Sequence, residues 1–283
     1  MPDRVSARDA SPAIGGGWPA ELALGFRSDA RRTVLARRKM VGPLAVQRPF
    51  YPEGGVCHVY LLHPPGGVVG GDSLAIDVTL GPHAQALLTT PGATKFYRSA
   101  GAVALQTQRL RVEPGATLEW LPQENIFFPG AQAALHTCVD LCRDARVALW
   151  EIHCLGRPAV AETFDRGLVD SRLSIMRDRV PLLLERLRAD PGNRTRRALL
   201  GGRSVVGTLI ISHATDAELA ACRRRLPSGE ADDFGATLVE DLLVLRFLGH
   251  STERARRLFT EVWQTVRPAA LGRSPGVPRI WAT

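Results

Sequence analysis

The sequence predicts a mainly β protein of the α+β class, with layered sheets of short strands and a C-terminal strand-helix-strand-helix portion. Three observations carry this. From Trp18 to about Met176 apolar residues recur with period two, Gly and Pro break that rhythm every ten residues or so, and helical spacing appears only after about Arg177.

The first seventeen residues, ending in Gly15-Gly16-Gly17, are polar and glycine-rich with no apolar run, and read as a flexible arm and not a signal peptide. Residues 18–283 then form a single β-rich domain. Short strands are expected at His58 to Leu62, Ala84 to Thr90, Ala102 to Val112, Ala116 to Leu121, Val147 to Leu155 and Leu168 to Met176. The clearest strand is Ser73 to Leu80, where Leu74, Ile76, Val78 and Leu80 alternate without a miss against Ser73, Ala75, Asp77 and Thr79. Gly81-Pro82 ends it, and Pro91-Gly92 and Pro114-Gly115 mark further turns. Past Arg177, Arg188 to Arg197 reads as a mobile surface loop and Ser204 to Ser212 as a strand. Asp216 to Leu226 reads as a helix capped by Asp216, Ala236 to Leu248 as a strand, and Ser251 to Val266 as a helix with Leu258, Phe259, Val262, Trp263 and Val266 on one stripe. This portion is either a small α/β subdomain or two helices packed on the main β body.

Composition bounds the function. A chain of 283 residues that is 45% hydrophobic can hide about 75% of its unfolded surface. Of 36 basic residues only Lys39 and Lys95 are lysine; the arginines are scattered along the chain, which argues against nucleic-acid binding. Five cysteines without a C-x-x-C pair argue against a secreted disulfide framework, and no stretch reaches the ~18 apolar residues of a membrane span. The expectation is a soluble cytoplasmic protein.

The densest motif is His63-Pro64-Pro65-Gly66-Gly67-Val68-Val69-Gly70-Gly71-Asp72. Its glycines permit close backbone approach, but their spacing matches no nucleotide-binding fingerprint and a strand follows, so it reads as a strand-to-strand turn with Asp72 bonding its own backbone. For metal, Cys57, His58 and His63 lie within seven residues, and Glu151 and His153 share one strand face. No spacing fits a closed tetrahedral site. Cys138 and Cys142 on a strand would sit about 13 Å apart, too far to share an ion. No nucleophile elbow occurs. Asp232-Asp233 and Glu240-Asp241 read as solvated carboxylates, and the competing enzymatic reading is a β-scaffold hydrolase using Asp72 and Glu124.

Five strings occur together in order: His63 to Asp72; Leu88-Thr-Thr-Pro-Gly-Ala-Thr-Lys-Phe-Tyr-Arg-Ser99; Trp120-Leu-Pro-Gln-Glu-Asn-Ile-Phe-Phe-Pro-Gly-Ala131; Cys154-Leu-Gly-Arg-Pro158 with Glu162; and Pro278-Arg-Ile-Trp-Ala-Thr283. In order and spacing the chain from Trp18 onward resembles the UreD family of urease accessory proteins, called UreH in some bacteria. The resemblance implies a non-enzymatic β-rich scaffold that works with UreF and the GTPase UreG on the urease apoprotein. It implies nickel delivery through an internal water-filled passage, with transient Ni²⁺ and no tightly bound cofactor. By the same resemblance Asp72, Thr94, Lys95 and Glu185 would belong to the passage wall, and carboxylate chemistry makes Asp72 and Glu185 the groups expected to steer the ion. Gly70, Gly71, Tyr97, Arg98 and Glu124 are the other motif positions. Carboxylates and carbonyls suit a passing ion because a Cys/His cage would trap it.

Overall fold

The computed structural model describes residues 16–227 and 232–282; residues 1–15 of the expected arm, and Thr283 of the last motif, lie outside the described residues. In chain order the strands are β1 (Pro19–Ser28), β2 (Thr33–Val41), β3 (Ala45–Val46), β4 (Cys57–Leu62), β5 (Ser73–Leu80), β6 (Gln85–Thr89), β7 (Thr94–Phe96), β8 (Ala104–Val112), β9 (Thr117–Trp120), β10 (Asn125–Phe127), β11 (Gln132–Leu141), β12 (Arg146–Arg157), β13 (Glu162–Thr163), β14 (Leu168–Arg177) and β15 (Val180–Ala189). They are followed by β16 (Val205–Ile211), helix α1 (Asp216–Arg223), the hairpin β17 (Asp233–Val239) and β18 (Leu242–Gly249), and helix α2 (Thr252–Leu271). None of the described helices is long and apolar enough to cross a membrane.

The strands form two facing sheets. One has seven strands in the order β15-β14-β11-β8-β5-β1-β2; the other has eleven, with the main path β17-β18-β16-β12-β9-β6-β4-β3 and with β7, β10 and β13 attached off that path. From β5 onward the chain steps from sheet to sheet, so that β5, β8, β11 and β14 lie parallel in one and β6, β9 and β12 parallel in the other. A parallel pair needs a long crossover connection, and here a strand of the opposite sheet supplies it in place of a helix. Each step is made at a turn such as Gly81-Pro82 or Pro114-Gly115.

Two cores result. One fills the space between the sheets and includes Leu22, Ile76, Leu110, Val139 and Ile175; the other lies between the outer face of the eleven-stranded sheet and the helices, around Trp150, Phe259, Val262 and Trp263. This is why β8 alternates buried and exposed positions while β12 is buried on both faces. The two helices therefore pack on the β body, which decides between the alternatives the sequence left open.

Several boundaries differ from the sequence expectation. Ala236 to Leu248 is a hairpin, because Glu240 takes a positive φ of 53° and turns the chain. Arg188 and Ala189 belong to β15 and not to a loop. The cap of α1 is Thr215, whose hydroxyl accepts the Ala217 N–H while Glu218 reaches back to the Thr215 N–H, so Asp216 is the first helical residue. α2 runs on to Leu271 and stops at Gly272, which takes the left-handed conformation.

One polar cluster lies beneath α2, with Arg267 and Glu119 fully buried at its centre. Arg267 donates from Nε and Nη2 to Glu119 at 2.8 Å each, and Trp263 Nε1 donates to the same carboxylate at 2.7 Å. Glu53 also pairs with Arg267 at 2.7 Å and approaches His58 Nε2 at 3.3 Å. Burial raises the Glu53 pKa, but hydrogen bonding from His58 and the Arg267 charge outweigh it and hold the carboxyl below its ordinary value.

Candidate functional site

Between the sheets the apolar filling is interrupted by a polar layer. On the seven-stranded sheet Gln108 of β8, Thr137 of β11, Leu173 of β14 and Glu185 of β15 are successive neighbours across the strands. Glu151 of β12, Thr208 of β16 and Arg246 of β18 are successive neighbours on the sheet opposite. The next row toward the turns, Val78, Leu110, Val139, Ile175 and Leu183, is apolar throughout.

The two rows touch. Thr137 Oγ1 donates to Glu151 Oε1 at 2.5 Å and lies 3.3 Å from Gln108 Oε1, while Glu151 Oε2 sits 3.6 Å from His153 Nε2. His153 bonds the Ser171 hydroxyl at 3.1 Å through the same ring nitrogen and approaches Asn125 Nδ2 at 3.4 Å through the other. At the far side Glu185 and Arg246 form a two-bond ion pair. Apart from the Arg246 guanidinium, every partner is a hydroxyl, amide, imidazole or carboxylate at an inward position where the strand period calls for an apolar side chain.

Two cavities flank this layer. A first, of about 340 Å³, is bordered by His63, Pro64, Gly66, Gly67, Thr94 and Lys95 and reaches inward past Gln106 and Gln108 to Glu151. A second, of about 800 Å³, runs from Glu151, His153 and Ser171 to Glu185 and Arg246. Glu151 lines both, so it stands between the two spaces.

The residues singled out from the sequence divide by place. Thr94 and Lys95 line the first cavity, where β7 lies parallel to β10 with Thr94 opposite Asn125. Glu185 lines the second. Asp72 lines neither; its Oδ1 accepts the Trp18 N–H and its Oδ2 the Val69 N–H, each at 2.9 Å, so its carboxylate ties the glycine turn to the start of β1. Gly70 and Gly71 make that turn possible, since a Cβ on Gly70 would lie 2.1 Å from Ser99 Oγ and Gly71 holds φ at +93°. Tyr97 meets Phe128 edge to face at 4.9 Å, Arg98 bridges to Ala131, and Glu124 accepts from Thr252 Oγ1 at 3.3 Å. Asp72 and Glu124 are thus each engaged elsewhere, and neither of them lines the first or the second cavity.

The sulfur and histidine candidates do not converge either. Cys57 faces the inter-sheet core while its strand neighbour His58 meets Glu53 beneath α2. Burial pushes the Cys154 thiol up to about 12. Among the described residues no three His, Cys, Asp or Glu side chains gather as a metal cage would. Sequence reasoning missed Thr137, Gln108, Ser171, Thr208 and Arg246. The available signal was Gln106 and Gln108 at buried-phase positions of β8, where both are less than a tenth exposed.

The family described as the UreD urease accessory protein matches residues 19–282. The chain is 49% identical to the urease accessory protein UreD of Klebsiella aerogenes, over 96% of this chain and 99% of that one. It is 50% identical to the Klebsiella pneumoniae subsp. pneumoniae protein of the same name, and 47% identical to that of Pseudomonas entomophila, with 96% of this chain and 98% and 97% of theirs covered. With one strand-woven sandwich matched along almost its whole length, the chain belongs to the UreD family of urease accessory proteins.

Proposed function

We propose that this protein is a non-enzymatic scaffold that acts in the cytoplasm with UreF and the GTPase UreG on the urease apoprotein, and that nickel passes through it between its two sheets on the way to the urease active site. The observation that carries the reading is the pair of inter-sheet cavities that share Glu151 as a lining residue. Nickel travels as a hydrated, transient cargo and is handed between hydroxyl, amide and carboxylate oxygens that bind too weakly to retain it. Glu151 supplies the negative charge between the two cavities, with Thr137 and His153 against its carboxylate and Gln108 and Ser171 holding those two in turn. Glu185 steers the ion at the far end. Asp72 serves as the anchor of the glycine turn beside the near cavity, and its charge acts there through the turn it organises.

A family named for an accessory role implies a task other than turnover, and the engaged state of Asp72 and Glu124 supports that. The test is co-purification of this chain with UreF, UreG and apo-urease, followed by a nickel count on the urease. The proposal expects nickel-loaded urease only when this chain is present. Equal loading with and without it would refute the proposal.

A further inference from the structure

The Glu185–Arg246 pair carries an inference that rests on the passage reading. Both residues stand at inward positions of their strands, Glu185 between Leu183 and Leu187 on β15, and Arg246 between Val244 and Leu248 on β18. β15 is the outermost strand of its sheet and β18 lies one strand from the edge of the other, so the pair spans the open seam of the sandwich where the second cavity ends. Across that seam Arg246 holds the Glu185 carboxylate through two hydrogen bonds, one of 3.1 Å and one shorter.

Stability does not explain it. The Arg246 side chain is 54% exposed, and an ion pair so open to water contributes little to folding; an apolar pair at two inward positions would serve as well. The pair does have a chemical effect on the passage. A guanidinium offers five N–H donors and no lone pair, so it cannot ligate a metal, and while it occupies Glu185 it places a positive charge where a cation would leave. We infer that Glu185 and Arg246 form a displaceable latch that closes the outer end of the passage and opens when a divalent cation takes the Glu185 carboxylate from Arg246. The weakness of the pair in water is what permits the exchange.

The experiment measures Ni²⁺ binding to the purified full chain by equilibrium dialysis at low ionic strength. Arg246→Met should bind Ni²⁺ about fivefold more tightly than the unaltered protein, the factor expected when a pair of this exposure no longer competes. Arg246→Lys should stay near the unaltered value, and Glu185→Gln/Arg246→Met should lose the gain. Raising salt should narrow the difference between the unaltered protein and Arg246→Met. If Arg246→Met proves unfolded by its thermal transition, Arg246→Gln takes its place under the same expectations, and a folded Arg246→Gln that binds Ni²⁺ no more tightly than the unaltered protein overturns the latch. A parallel nickel count on urease matured with Glu151→Gln separates the two levels. Full loading there overturns the passage and the latch with it. Blocked loading alongside an Arg246→Met affinity equal to the unaltered protein's overturns the latch alone.

Discussion

Replacing Glu119 with Gln isolates the buried charge under α2. The substitution keeps the side-chain shape and an acceptor for the Trp263 indole, but removes the negative charge that faces Arg267 at 2.8 Å and Arg273 at 3.7 Å. Arg267 and Glu119 are fully buried, and Arg273 has lost most of its solvent too. Only Glu53 would then remain to balance two guanidiniums out of water. Removing one member of such a pair costs about 3–5 kcal/mol, because the partner is left charged in a medium that solvates it badly. At about 2–4 °C per kcal/mol for a domain near this size, the thermal midpoint should fall by roughly 10 °C. Urea unfolding followed by tryptophan fluorescence reads the change directly, since the Trp150 and Trp263 rings both meet Trp281 at this site, one tilted and one edge to face. The double variant Glu119→Leu/Arg267→Met, which removes both charges, should recover much of the loss. An unchanged midpoint for Glu119→Gln, or a double variant as damaged as the sum of the singles, would refute the argument.

Three further outcomes follow from the same coordinates. Gly70→Ala should destabilise by about 2 kcal/mol, because its Cβ would meet Ser99 Oγ at 2.1 Å and the Ala102 carbonyl at 2.6 Å, whereas Gly92→Ala, with open space around it, should be near neutral in the same melt. Thiol labelling of the folded protein at pH 8 should modify Cys138 and Cys142 and spare Cys57, Cys154 and Cys222, which are buried, with burial pushing Cys154 up to about 12 and Cys222 up to about 11; rapid labelling of all five before unfolding would contradict this. The hydrogen bond from Arg186 holds the Asp170 carboxyl down at about 2, below its ordinary 3.8. Its stabilisation is therefore present above about pH 4 and fades as pH falls through 2, so Asp170→Asn should lower the melting midpoint at pH 7 and converge with the unaltered protein near pH 2.

The period-two rhythm made the sandwich legible because a strand with one wet face must alternate, and Ser73 to Leu80 does so without a break. The stripe of α2 was equally open to reading. What stayed hidden is the pairing. β2 and β15 carry charged and apolar residues with little alternation because they are edge strands, and they did not stand out. The hairpin at Glu240-Asp241 was read through as one strand, since nothing in that dipeptide announces a positive φ. Of the site, Glu151 and His153 were visible as a pair on one strand face. Their partners Thr137 and Ser171 come from strands brought opposite only by the winding of the chain, and Arg246 is one arginine among 34, distinguished solely by where its strand points.

Filling the junction tests the central claim most directly. Glu151→Leu places an apolar group of similar size at the residue that lines both cavities and removes its carboxylate. Urease matured with this variant, in a complex that still co-purifies with UreF and UreG, should contain little or no nickel. Urease that carries its full nickel complement beside a folded Glu151→Leu chain would show that the metal does not pass between the sheets.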